Sequence, residues 1–179
     1  MSQLVTVPNL FSLIRVAAVA VFWWLMASER TVAAAWLVVT VAGTDWVDGY
    51  LARRLGQVTE LGKLLDPLAD RLMIASAVVA GIWADVLPGW IAWPLLVREA
   101  LVTAGALYGW SRGRRVDVLP LGKTATFLLY GSVPAFYLVE GDVLPWLFGP
   151  PAWIAGVVGL VLYWWVAVAY GREIVAPTR

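Results

Sequence analysis

Four aspartates set the chemical terms of this sequence. Asp45 and Asp48 stand three residues apart, Asp66 and Asp70 four apart, and either spacing puts both side chains of a pair on one face of a helix. Four carboxylates brought together repel one another and hold on to protons unless cations neutralise them. Hard oxygen donors of this kind suit Mg2+ or Mn2+, whose coordination is usually completed by phosphate oxygens of a substrate. Beside the aspartates lie Gly49, Ala52 and Gly62, small enough to let a ligand or another backbone approach closely. Arg53 and Lys63 add cations matched to diphosphate oxygens. Carboxylates for metal, small residues for access and cations for phosphate together point to a phosphoanhydride or phosphodiester substrate. The sequence contains no His and no Cys, which removes imidazole bases, thiolate nucleophiles and disulfides from consideration.

These residues must be positioned by elements that the composition identifies. Of 179 residues, 61% are hydrophobic and 14% charged, far from the balance of a soluble domain. Apolar stretches at Leu10–Ala27, Val32–Tyr50, Pro67–Ala84, Trp90–Tyr108, Leu119–Val139 and Ala152–Tyr170 each approach the roughly 20 residues that cross a hydrocarbon layer as a helix. The expected fold is all-α, one polytopic membrane domain over residues 1–179 with six transmembrane helices. Thr6 to Leu10 reads as a short interfacial segment capped by Asn9. The first apolar stretch contains Arg15 and lacks a basic start, so it is expected to be retained rather than cleaved.

Charge sets the orientation. Arg53, Arg54 and Lys63 fall in the second-to-third connection, Arg112, Arg114, Arg115 and Lys123 around the fourth-to-fifth, and Arg172 and Arg179 in the tail. The opposite loops hold Arg30 with Asp85, Glu140 and Asp142. Basic loops face the cytoplasm, so both termini and both aspartate pairs are expected there. Trp83, Trp90, Trp93, Trp146 and Trp153 would then mark the outer interface as anchoring rings. A net charge of +1, with its cations confined to loops, carries no footprint for nucleic acid.

Any one of these aspartates could be an ordinary cap, and Asp66 directly before Pro67 fits a helix start. Four in two pairs are another matter, because ionisable groups at membrane depth are expensive and usually functional. The run Asp45-x2-Asp48-Gly49-x2-Ala52-Arg53-x8-Gly62-x3-Asp66-x3-Asp70 resembles, with every spacing intact, the signature of the CDP-alcohol phosphatidyltransferases. The six-span pattern resembles that family over essentially the whole chain. The resemblance implies two divalent ions held by Asp45, Asp48, Asp66 and Asp70, with Asp70 also the base for an acceptor hydroxyl. It implies a cytidine nucleotide along Asp48, Gly49, Ala52, Arg53, Gly62 and Asp66. CDP-diacylglycerol and an alcohol would be the substrates, CMP the leaving group, and a homodimer in a bacterial cytoplasmic membrane the setting.

Within the family, the segments Thr6 to Arg15 and Leu65 to Arg71 resemble the branch making phosphatidylglycerophosphate or cardiolipin. Arg98-Glu99 and Gly122-Lys123 look like positions that glycerophosphate-using members also have. Those members often carry a further Arg and a further Lys where this chain has Ala106 and Ala125. Losing two cations weakens a site for a dianionic monoester, so phosphatidylglycerol is the expected acceptor and glycerol 3-phosphate the alternative. Lys63, Arg98, Arg112, Arg114, Arg115 and Lys123 remain for acceptor or phosphate contacts, although the three loop arginines also serve as topology determinants or lipid-headgroup contacts. Arg98 and Glu99 could equally neutralise one another. A cation transporter or proton relay is the competing class, since intramembrane carboxylates mark those too.

Overall fold

A backbone run through apolar side chains must satisfy its own hydrogen bonds, and helices do so locally. The computed structural model describes the backbone of residues 7–55, 60–111 and 120–175 and the side chains within 13–44, 69–105 and 121–168. Those residues form α1 (Val7–Ala27), α2 (Thr31–Leu55), α3 (Glu60–Trp83), α4 (Gly89–Ser111), α5 (Pro120–Glu140) and α6 (Pro145–Val175), with no strand among them.

Several boundaries differ from the expectation: α2 runs past Tyr50 to Leu55, which takes Arg53 and Arg54 out of the connection, and α6 runs past Tyr170 to Val175. Helix α1 begins at Val7, so Asn9 lies inside it rather than capping it, and no interfacial piece is set apart; Pro8 sits in the first turn, where its missing N–H costs nothing. Helix α3 begins at Glu60, which places Gly62, Lys63 and Asp66 within its opening turns and Asp70 near its middle. Asp66 is therefore not a helix cap, and the proline after it does not start the helix. Helix α6 begins at Pro145 and runs through Pro150 and Pro151, residues that composition alone assigns to a loop. The intervening Trp146, Leu147 and Phe148 continue the apolar pattern, and Pro145 is at home in the first helical position.

Helices α1, α3 and α5 stop in the same way. After α1, the Arg30 amide donates to the Leu25 carbonyl (2.9 Å) and the Glu29 amide to Met26 (3.1 Å). After α3, Val86 donates to Gly81 (2.8 Å) and Asp85 to Ile82 (3.3 Å); after α5, Val143 donates to Leu138 (2.9 Å) and Asp142 to Val139 (3.0 Å). These are paired six-to-one and five-to-two closures, which satisfy carbonyls that a helix end leaves over. The left-handed residue that each requires is usually Gly, yet here it is Glu29, Asp85 and Asp142, with φ of 56°, 57° and 56°.

Packing places α3 among α1, α4 and α5, with α5 also against α2 and α6. Phe22, Ala77, Val78, Ile91, Leu95, Leu129, Val133 and Tyr137 are almost wholly buried between them. Tyr137 of α5 donates its hydroxyl to the Ala77 carbonyl of α3 at 2.5 Å, giving a polar atom in the core its partner. Gly159 lets α6 meet α5 closely, since a Cβ there would fall 3.0 Å from the Leu129 backbone nitrogen.

The outward faces are as apolar as the core. Trp24, Trp83, Trp90, Trp93, Trp146, Trp165, Phe127, Leu101 and Val161 are all exposed, more contiguous apolar surface than a protein in water tolerates. Among the described residues, Pro145–Val168 is long and apolar enough to cross a membrane, and most of it is not buried inside the bundle. Leu13–Ala27 and Thr31–Thr44 are apolar but shorter within the described residues. Trp90 stacks on Trp153 at 6.0 Å, and Trp153 meets the edge of Phe136 at 5.2 Å, bringing three helices together where α4 and α6 begin.

Candidate active site

Charges inside an apolar bundle must be paired or pay a large desolvation penalty. Here α1, α3, α4, α5 and α6 all contribute polar groups to the interior. Arg15 of α1 is buried and forms a hydrogen-bonded ion pair with Asp70 of α3. The next residue, Arg71, donates from Nη1 to Glu99 Oε2 at 3.2 Å and to Thr103 Oγ1 at 2.9 Å, both on α4. Tyr130 of α5 donates its hydroxyl to Glu99 Oε1 at 3.3 Å. Arg98 Nη1 lies 3.7 Å from the same oxygen, and its guanidinium carbon sits 3.5 Å from the ring centre of Tyr163 on α6, a close cation–π contact.

Among the described residues, Arg15, Arg71 and Arg98 meet Asp70 and Glu99 in this interior. The Tyr163 hydroxyl, buried and without a hydrogen-bond partner among the described residues, is one further donor facing that interior. Asp70 is the least enclosed of the five charges with a carboxyl or guanidinium in an ion pair, its side chain 31% exposed against 5% for Arg15 and 8% for Glu99; Arg71 is close to it at 29%. A half-open carboxylate anchored on one side by a buried guanidinium can accept a proton or a metal ion from the other.

The expected residues divide accordingly. Asp70 is in this cluster. Asp45, Asp48, Gly49, Ala52 and Arg53 lie in the second half of α2, and Gly62, Lys63 and Asp66 in the opening turns of α3, with side chains outside the described residues. Helix α2 touches α3, so the backbones carrying the two aspartate pairs are neighbours. Arg112, Arg114 and Arg115 lie outside the described residues altogether. Arg98 is buried, with Nη1 3.7 Å from Glu99 Oε1. Lys123 is exposed in the first turn of α5 and forms no ion pair among the described residues. Ala125 is fully buried and Ala106 has no described side chain.

Arg15, Arg71, Thr103, Tyr130 and Tyr163 were not singled out as site residues from sequence. Arg15 and Arg71 had a signal, an ionisable group within an apolar stretch. Tyr130 and Tyr163 had none, because an aromatic residue in an aromatic-rich helix gives no hint of where its hydroxyl points.

The donor set fits a hard divalent ion in kind: carboxylate oxygens with neither imidazole nor thiolate in the chain, on two helices that touch. Among the described residues, no three acidic ligands converge, and Asp70 is the member of the quartet whose side chain is described.

Comparison with known proteins joins these observations. A cardiolipin synthase (CMP-forming) of Streptomyces coelicolor is 39% identical over 185 residues, covering 94% of this chain and 82% of the relative. A CDP-diacylglycerol–glycerol-3-phosphate 3-phosphatidyltransferase of Bacillus subtilis is 34% identical over 146 residues, covering 73% and 76%. The enzyme of that same description from Shigella flexneri is 31% identical over 170 residues, covering 90% and 87%. The model of the CDP-alcohol phosphatidyltransferase family matches residues 5–170, a span that takes in both aspartate pairs and every helix that lines the charged interior, and this chain belongs to that family.

Proposed function

We propose that this protein transfers the phosphatidyl group of CDP-diacylglycerol to the free glycerol hydroxyl of phosphatidylglycerol, giving cardiolipin and CMP. The observation that carries the reaction type is the unbroken aspartate signature in a family member, and likeness to a cardiolipin synthase over 94% of the chain supports the acceptor. Ala125, buried where glycerophosphate-using members often place a Lys, supports it too: a monoester dianion would meet one cation fewer.

In this reading all six helices span the bacterial cytoplasmic membrane, with the basic loops and the active site on the cytoplasmic side, and the protein works as a homodimer. The apolar outer faces and exposed tryptophans suit lipid contact. Asp45, Asp48, Asp66 and Asp70 would hold two divalent ions, Mg2+ or Mn2+, which when bound neutralise the diphosphate and polarise its phosphorus. Asp48, Gly49, Ala52, Arg53, Gly62 and Asp66 line the cytidine nucleotide, and Lys63 and the arginine cluster offer cations to phosphate oxygens. Asp70 takes the proton of the acceptor hydroxyl as its oxygen attacks the β-phosphorus in line, and the bond to the CMP oxygen breaks. No covalent enzyme intermediate is needed.

The decisive experiment supplies purified protein with CDP-diacylglycerol and either phosphatidylglycerol or glycerol 3-phosphate, in Mg2+ or Mn2+, and resolves the lipid products. Cardiolipin and CMP are expected, with little phosphatidylglycerophosphate. Efficient phosphatidylglycerophosphate formation without cardiolipin would replace the acceptor; metal-independent turnover, or full activity in Asp45→Asn or Asp66→Asn, would remove the metal site.

A further inference from the structure

Glu99 belongs to no part of the aspartate signature, yet among the described residues its carboxylate meets three other side chains. Its two oxygens meet Arg71 from α3 at 3.2 Å, Tyr130 from α5 at 3.3 Å and Arg98 from its own helix at 3.7 Å. Thr103 stands one turn further along α4, on the same face, and takes a second bond from the same Arg71 nitrogen at 2.9 Å. Arg71 is thus held twice by α4, and the Glu99 that holds it is tied in turn to α5.

The neighbour of Arg71 in sequence is Asp70, and consecutive side chains leave a helix about 100° apart around its axis. Asp70 is tied to Arg15 on α1 while Arg71 is tied to α4. Helix α3 is therefore gripped from two directions at one level, which opposes rotation about its own axis. We propose that Glu99 is a positioning residue of the transferase: through Arg71, and with Thr103, it fixes the rotation of α3 and so the aim of Asp70 and of Asp66 one turn earlier. The inference rests on the reading of those two aspartates as site carboxylates.

The leverage is large. A carboxylate about 5–6 Å from a helix axis moves roughly 2 Å when the helix turns about 20°, and a displacement of about 1 Å at a reacting group can lower a rate roughly 100-fold. Because Tyr137 and the packed core also hold α3, Glu99→Gln should lower kcat by about 10- to 100-fold. The loss should fall mainly on kcat: acceptor KM should stay within about threefold, while KM for CDP-diacylglycerol rises less than kcat falls, because Asp66 also lines the nucleotide in this reading.

The test measures kcat and both KM values for Glu99→Gln, Arg71→Met, the double variant and Thr103→Val, each checked for monodispersity and melting, with Asp70→Asn alongside. The clamp predicts that the double variant is no slower than the slower single one, because the two residues act as a unit, and that Thr103→Val loses about three- to fivefold in kcat. An unchanged kcat in Glu99→Gln, a rise confined to acceptor KM, or additive losses in the double variant would overturn it. Should Glu99→Gln not fold, Thr103→Val decides: wild-type kcat there refutes the clamp. Full activity in Asp70→Asn would instead refute the site reading on which the clamp depends, whereas a dead Asp70→Asn beside an unaffected Glu99→Gln refutes the clamp alone.

Discussion

Replacing Arg15 by Met isolates the tie between α1 and α3. Met fills much of the Arg stem volume but leaves Asp70 facing a buried position without the guanidinium that bonds it. Removing one member of a buried ion pair typically destabilises by about 3–5 kcal/mol. Here the cost falls below that range, roughly 2–3 kcal/mol, because the Asp70 side chain is 31% exposed and solvent relieves part of the penalty. The measurement is reversible unfolding of purified protein in mixed micelles with chelator present, so that metal binding does not compensate. Adding Asp70→Asn to Arg15→Met should recover part of the lost stability, since the charge that faced the guanidinium is gone. Transfer activity should not return, because the carboxylate needed for chemistry is gone with it. An Arg15→Met protein as stable as wild type, or a double variant no more stable than Arg15→Met, would show that this pair does not hold the two helices together.

Three other outcomes follow from the geometry. Glu29→Gly and Asp142→Gly should each raise thermal stability by about 0.5–1.5 kcal/mol without changing turnover: Gly takes the left-handed φ of 56° at no steric cost, and an acid is removed from a helix C-terminus. A fall in melting temperature in both would contradict this. Gly159→Ala should destabilise by about 1–2 kcal/mol, because its Cβ would press on the Leu129 backbone nitrogen at 3.0 Å; unaltered melting would mean that α5 and α6 do not meet there. For orientation, a Cys at Gln57 should resist an impermeant thiol reagent in intact cells and one at Glu140, exposed at the end of α5, should react, with the reverse pattern overturning the proposed topology.

Much of this molecule was legible in its residues. Helix number followed from six apolar runs, and the grouping of Trp83, Trp90, Trp93, Trp146 and Trp153 at one end follows from how the helices connect. Boundaries failed where a polar or proline-bearing stretch continued a helix. The charged connection from Arg53 to Lys63 reads as a loop, yet α3 takes in its last residues from Glu60, because Glu60, Leu61, Lys63, Leu64 and Leu65 are good helix formers whatever their polarity. The aspartate signature was visible because its chemistry depends on spacing along the chain. The Glu99 network was not, because it depends on spacing across it: Arg71 and Thr103 are 32 residues apart, Tyr130 and Glu99 31, and no one-dimensional pattern ties such residues together.

The Arg15 to Asp70 tie also bears on how the chain is made. The two residues are separated by 55 positions, so in the membrane reading α1 leaves the ribosome, and α2 after it, well before Asp70 is synthesised. An arginine near the centre of an inserting helix disfavours insertion by roughly 2.5–3.5 kcal/mol, offset here by the apolar residues on either side. Helix α1 should therefore hold more firmly once α3 arrives and the tie to Asp70 forms, which couples the integration of the first and third helices. A chain truncated after α2 should integrate less efficiently than one extended through α3.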